Sequence, residues 1–171
     1  ANFLYTVRHW AEGKHRKRSP AQSVSEDKIE VRVSMFLWCS VPDAELLQLA
    51  SDGQLSDSET LTRKMKRMLA DDRSQRFSKH FVRQWLGLSL LDYLSVDRKL
   101  YPDFSPELKE AMAMEPVAFF HEVLRCDLSA LEFLHADFTM ADERLARHYG
   151  LDGVQGNDFR RVDALTDPRR G

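Results

Sequence analysis

Ser56-Asp57-Ser58-Glu59-Thr60-Leu61-Thr62-Arg63-Lys64-Met65-Lys66-Arg67-Met68-Leu69 carries the period that decides the fold class. Leu61, Met65, Met68 and Leu69 recur at helical spacing, while Arg63, Lys64, Lys66 and Arg67 take the opposite face, so the stretch is a helix with one side to bury. Ser56 and Glu59 stand at capping-box spacing and mark Ser56 as its N-cap.

The same period extends to both sides. Upstream, Ile29, Val33, Phe36 and Leu37 define a helix from residue 25 onward, with Ser23 and Glu26 in a second capping box. Val41-Pro42-Asp43 breaks it and starts a short helix carrying Leu46, Leu47 and Ala50, which Gly53 ends. Downstream, Phe77, Phe81, Trp85 and Leu88 share one face, with Gly87 loosening the last turn. Ser105-Pro106 opens a helix of about twenty residues through Leu108, Met112, Phe119, Phe120 and Val123. Pro116 inside it predicts a kink near Met112 or a break into two helices, because proline removes a donor and clashes with the carbonyl four residues back. A short helix near residues 129–134 follows, then one over residues 139–149, capped by Thr139 and ended by Gly150. Beyond it the chain reads as loop, with residues 159–162 as one possible strand. The fold class is therefore all-α: an irregular helical bundle of six to eight helices with a mostly loop C-terminal segment. Trp38, Phe77, Phe81, Trp85, Met112, Phe119 and Leu145 each lie on the apolar face of their helix and are expected to share one core, with Trp85→Ala costing about 3–5 kcal/mol.

Composition bounds what the fold serves. The 171 residues are 43% hydrophobic and 30% charged, the mixture of a packed water-facing chain and not of collagen or low-complexity disorder. The longest apolar run, Met35 to Cys39, is far below the roughly 20 residues of a membrane span. Lysine and arginine number 25 against 27 acids, so no global basic field exists to hold phosphate, and nucleic acid is not an expected partner. The cluster Lys14-His15-Arg16-Lys17-Arg18 has only Trp10 beside it for stacking and reads as a solvated connector. Ahead of the connector, Phe3, Leu4, Tyr5, Val7 and Trp10 are too apolar for a tail and are expected to pack against this domain or a preceding one, while residues 25–157 read as the helical domain. Cys39 and Cys126 are too far apart in sequence for a redox or haem-attachment pair; two separate buried thiols are expected, and a bridge between them is the alternative.

Each motif that could carry chemistry fails on a specific residue. His121-Glu122-Val123-Leu124-Arg125 begins like a zinc-protease helix, but Arg125 stands where the second histidine must be, and a guanidinium cannot ligate a metal. Its plain reading is a partly buried His121 and an exposed Glu122. Ser25 and Lys28 have the spacing of a penicillin-recognising serine enzyme without the companion triplets, which leaves a helix start. None of His9, His15, His80, His121, His135 and His148 lies three or four residues from another, and Glu143 and His148 are five apart. The stripes Met65/Met68 and Phe77/Phe81/Trp85 could line a pocket but read as core. Metal ligands, cofactor-binding residues and cofactors are accordingly expected to be none, and catalytic residues stay unassigned.

Phe36-Leu37-Trp38-Cys39-Ser40-Val41-Pro42-Asp43-Ala44-Glu45-Leu46-Leu47, then Met68-Leu69-Ala70-Asp71-Asp72 and Gln84-Trp85-Leu86-Gly87-Leu88, together resemble a planctomycete-type domain catalogued as domain of unknown function 1592. Asp97-Arg98-Lys99-Leu100-Tyr101-Pro102-Asp103-Phe104, the block from Asp142 to Gly150, Phe159-Arg160-Arg161 and the closing Arg169-Arg170-Gly171 continue the resemblance in order. It implies a module of a large exported, periplasmic or extracellular multidomain protein, with residues 1–24 the tail of a preceding domain plus the basic connector, 25–157 the helical domain and 158–171 a junction towards a following domain. Its partners would be neighbouring domains of the same polypeptide, often with a c-type cytochrome module among them. It carries no catalytic residues. The leading expectation is a structural or interaction domain; the alternative is part of a hydrolytic or redox enzyme whose site neighbouring domains complete. The two divide at the block from Asp142 to Tyr149. A Glu143–Arg147 ion pair on the surface, worth no more than about 0.5 kcal/mol, belongs to the first, and Glu143 or His148 buried in a polar cleft as acid–base groups belongs to the second.

Overall fold

A computed structural model describes residues 26–163, with side chains from Ile29 onward. The apolar segment 3–10, the Ser23 capping box, the Lys14–Arg18 connector and the segment 164–171 lie outside the described residues. The chain divides into two compact units at Phe77/Ser78, and each is built on its own elements.

The first unit holds α1 (Glu26–Leu37), α2 (Ala44–Ser51) and α3 (Ser58–Ala70), and α4 (Ser74–Trp85) begins in it. Leu61, Met65, Met68 and Leu69 of α3 are all buried, as their spacing predicts, together with Ile29, Val33 and Leu37 of α1 and Leu46 and Ala50 of α2. The N-cap of α3 is Asp57, one residue past the predicted Ser56: its carboxylate accepts from Thr60 N at 2.8 Å. With Ser, Asp and Ser in succession every candidate has cap chemistry, and spacing alone could not separate them. Asp43 caps α2 in the same way, accepting from Leu46 N at 2.9 Å.

Trp38 explains the most distinctive sequence block. The residue is fully buried, and its indole N–H donates at 2.9 Å to the Met68 carbonyl, which at the end of α3 otherwise takes the longer 3.4 Å bond from Asp71 N. The buried Ser74 hydroxyl donates to Leu69 O at 2.9 Å. The Arg73 guanidinium lies 3.4 Å from the Trp38 ring centroid, and Asp71 fixes it there through Nε at 2.9 Å and Nη2 at 2.8 Å. Arg67 reaches Asp43 at 2.8 Å and Glu45 at 3.1 Å, and Lys64 pairs with Glu45, so α3 is tied to the start of α2 by charge.

Hydrogen bonds from Arg73 hold the Asp71 carboxyl at about 2, well below its ordinary 3.8. Because the folded-state value lies below the unfolded one, the stabilisation is complete above about pH 4 and is lost as pH falls through about 2. The Trp38 indole proton resonance is expected to titrate with a midpoint near pH 2, and Asp71→Asn to abolish that step. A midpoint near 3.8 would show that the Asp71–Arg73 pair does not form.

The second unit continues with the rest of α4, a 3₁₀ helix (Leu88–Tyr93), α5 (Pro106–Arg125), α6 (Glu132–His135), β1 (Phe138–Ala141), α7 (Glu143–Tyr149) and β2 (Arg160–Asp163). Ser105 caps α5 with Pro106 in its first turn, as read from the sequence, and the helix runs unbroken through Pro116. Eight helices, one of them 3₁₀, and a single two-stranded sheet make up the described residues, an essentially helical fold.

Three expectations are corrected here. Residues 139–141 are strand and not the start of a helix: β1 pairs antiparallel with β2, Thr139 opposite Val162 and Ala141 opposite Arg160. The cap of α7 is Asp142, almost wholly buried, which accepts from Leu145 N at 2.9 Å and from Arg144 Nε at 3.2 Å. Gly150 ends α7 at φ +67°, a left-handed value that costs other residues a steric clash. The seven residues predicted to share one core also do not. Trp38 and Phe77 are buried in the first unit; Met112 and Leu145 belong to one cluster of the second, Phe119 to another, and Phe81 is half-buried. Trp85 is 56% exposed, its ring meeting those of Phe81, Phe120 and Phe133 at centroid distances of 5.6–6.5 Å, and that exposure removes the basis for a 3–5 kcal/mol loss on its truncation. Cys39 and Cys126 are free thiols, but both are exposed: Cys39 stands just past α1 at a left-handed φ of +50°, and Cys126 follows the end of α5.

A cleft floored by Glu115

In the second unit, α5, α6, β1 and α7 enclose a half-open cleft of about 680 Å³. Phe119, Phe133, Phe138, Leu134 and Pro116 form its apolar walls. Phe119 stacks on Phe138 with centroids 4.9 Å apart and meets Phe133 edge-on at 5.9 Å, so the walls brace one another. The Arg161 guanidinium lies over the Phe138 ring, 3.8 Å from its centroid, a diagonal cross-strand contact fixed by the β1–β2 register.

The polar end is Glu115. Its Oε1 accepts from the Thr139 hydroxyl at 2.6 Å and its Oε2 from the Tyr149 hydroxyl at 2.6 Å, so one carboxylate joins α5, β1 and α7. The sequence reading passed over Glu115. The signal was present, because Glu115 stands on the stripe of Leu108, Ala111, Met112 and Phe119, where an acid needs a partner. Thr139 is there because it lies in a strand; as a helix cap it would have turned its hydroxyl to the backbone.

The block from Asp142 to Tyr149 reaches the cleft only through Tyr149. His148 is exposed. Glu143 and Arg147 form the predicted ion pair at 2.9 Å, and the second Glu143 oxygen accepts from Gly156 N at 2.9 Å while Glu143 N donates to Gly156 O at 3.0 Å. Glu143 is thus occupied in fastening the loop after α7. Its backbone contact raises the expected cost of Glu143→Ala from the 0.5 kcal/mol of a surface pair to about 1 kcal/mol, with faster amide exchange at Gly156 as the local sign. A loss indistinguishable from zero would show that the loop is held elsewhere.

His121 and Glu122 lie away from this cleft. Ser78 Oγ is 3.1 Å from His121 Nδ1, but Ser78 is wholly buried in α4 and presents no nucleophile to solvent. Glu122 is not the exposed residue predicted: its side chain is largely covered, and it accepts from Arg125 at 3.0 Å and from the Cys126 thiol at 3.4 Å. Burial works against its charge, yet these donors hold it below the ordinary carboxylate range. Burial and the Glu122 carboxylate push the Cys126 thiol up, away from thiolate reactivity. Arg125, which breaks the zinc-protease pattern, is the ion-pair partner of that pattern's own glutamate. Among the described residues no group of three or more His, Cys, Asp or Glu is placed to hold a metal ion, and no helix is long and apolar enough to cross a membrane.

A family model described as "Protein of unknown function (DUF1592)" matches residues 24–151, more than half of the chain. No curated protein and no solved structure matches it.

Proposed function

We propose, from the premise that this chain belongs to the DUF1592 family, that it is an interaction module: a helical unit that holds neighbouring domains of a larger exported protein in a fixed arrangement. The observation that supports this is the surface between α4 and α5. Leu90, Tyr93, Leu100 and Tyr101 are 75%, 87%, 73% and 62% exposed, with Trp85, Leu86 and Leu94 exposed beside them. The segment is fastened while its apolar side chains face water. Lys109 Nζ donates to the carbonyls of Asp92 at 3.4 Å and Leu94 at 3.1 Å, and Arg83 pairs with Asp92 at 3.3 Å. So much apolar area on one fastened connector is what a docking face requires. Its occupant is the apolar face of an adjoining domain, and the family resemblance extends the proposal to a periplasmic or extracellular setting with a haem-bearing domain among the neighbours.

The double variant Leu90→Ser/Tyr93→Ser tests it, since both residues are exposed and should fold within about 0.5 kcal/mol of the parent. In co-sedimentation with the separately expressed adjoining domains, the unaltered chain is expected to associate and the variant to lose at least tenfold in affinity. Equal affinity of the two, or no association of either, would overturn the proposal.

A further inference from the structure

We propose that the cleft floored by Glu115 binds a small primary organic ammonium with an apolar body. The polar end of the cleft is short of donors. The Thr139 and Tyr149 hydroxyl protons are both directed at the Glu115 oxygens at 2.6 Å, so what Glu115 and Thr139 still offer to a ligand is acceptor lone pairs and a negative charge. Glu132 adds a second carboxylate, and His135 is the one basic side chain among the lining residues, which include no lysine or arginine. Two carboxylates against one imidazole favour a ligand that brings N–H donors and positive charge over a carboxylate or phosphate.

The rest of the cleft sets the ligand's other end. Phe119, Phe133, Phe138, Leu134 and Pro116 line a space of about 680 Å³, within the range of small-molecule sites, and reward a hydrocarbon body. Ring faces attract a cation, but Phe138 already has Phe119 stacked on it and the Arg161 guanidinium over its ring. The Glu115 carboxylate offers hydrogen-bond acceptors, which a primary ammonium can use and a quaternary one cannot. Glu115 is also placed to stay put: two hydroxyls from two different elements hold both its oxygens before a ligand arrives.

The test follows the amides of Ala136 and Thr139 by heteronuclear NMR during titration with n-hexylammonium, 1-hexanol, hexanoate and tetramethylammonium. Hexylammonium is expected to give saturable shifts at these residues, with the other three at least tenfold weaker. Glu115→Gln, which keeps the shape and removes the charge, should weaken hexylammonium at least tenfold and leave hexanol unchanged. Should Glu115→Gln not fold, Phe133→Ala serves in its place, since that ring is 38% exposed: it should weaken hexylammonium several-fold and leave methylammonium unchanged. No saturable shift with hexylammonium, equal binding of hexanoate or hexanol, or a variant that binds hexylammonium like the parent would overturn the assignment.

Discussion

Trp38→Ala is expected to destabilise the first unit by about 3–5 kcal/mol in urea denaturation. The side chain is fully buried and its loss removes three things together. A cavity the size of an indole opens beside α1 and α3, the Met68 carbonyl loses its 2.9 Å donor, and the Arg73 guanidinium loses the ring it covers. Trp38→Phe separates these effects, because it keeps most of the volume and part of the ring face but not the N–H; about 1–2 kcal/mol is expected for it. A loss below 1 kcal/mol for Trp38→Ala would mean that the indole is not the centre of this unit.

Leu145→Ala should cost the second unit about 2–5 kcal/mol. Leu145 is fully buried on α7 and packs in a cluster with Leu108 and Ala111 of α5 and Ala141 of β1. Met112, Tyr149 and Leu151 also pack against this cluster, so the loss falls in that range according to how far they close the space left. α7 has only seven residues and is too short to persist without its packing. The Tyr149–Glu115 hydrogen bond should weaken with it, so the variant ought to show faster exchange along α7 and altered shifts at Thr139. An intact α7 with a small stability loss would contradict this packing.

Both residues were visible in the sequence. Leu145 falls on an apolar helical stripe and Trp38 follows directly on that of α1, and burial of a stripe follows from its period once a partner exists. Trp85 also lies on such a stripe, yet it is exposed, because period identifies the face and not whether another element covers it. The strand Phe138–Ala141 was hidden for a different reason. Four residues are too few to show alternation, its partner lies some twenty residues away, and Thr139 before a helical run imitates a cap. Asp57 and Asp142 displaced the predicted caps because several cap-competent residues stood in a row or close by, and the backbone, not the side-chain type, selects among them.

The candidate site was less legible still. Glu115, Thr139 and Tyr149 are up to 34 positions apart and come from a helix, a strand and a helix, so no spacing rule joins them. Only the presence of an acid on an apolar stripe pointed to Glu115, and that signal says "partnered" without saying by what. By contrast, the block around Trp38 was conspicuous as a sequence, and its members turn out to hold one another: Asp43 caps α2 and pairs with Arg67, and Trp38 fills the end of α3. Each of these residues has a place in holding the fold.

The central claim is that residues 88–101 form a docking face, and amide hydrogen exchange of that segment tests it most directly. Exchange is to be compared between this chain alone and a longer protein in which the chain is joined to the adjoining domains that the proposal assigns to it. The account predicts at least tenfold slower exchange across residues 88–101 in the longer protein, with α3 unchanged between the two. Equal exchange rates in the segment would contradict it.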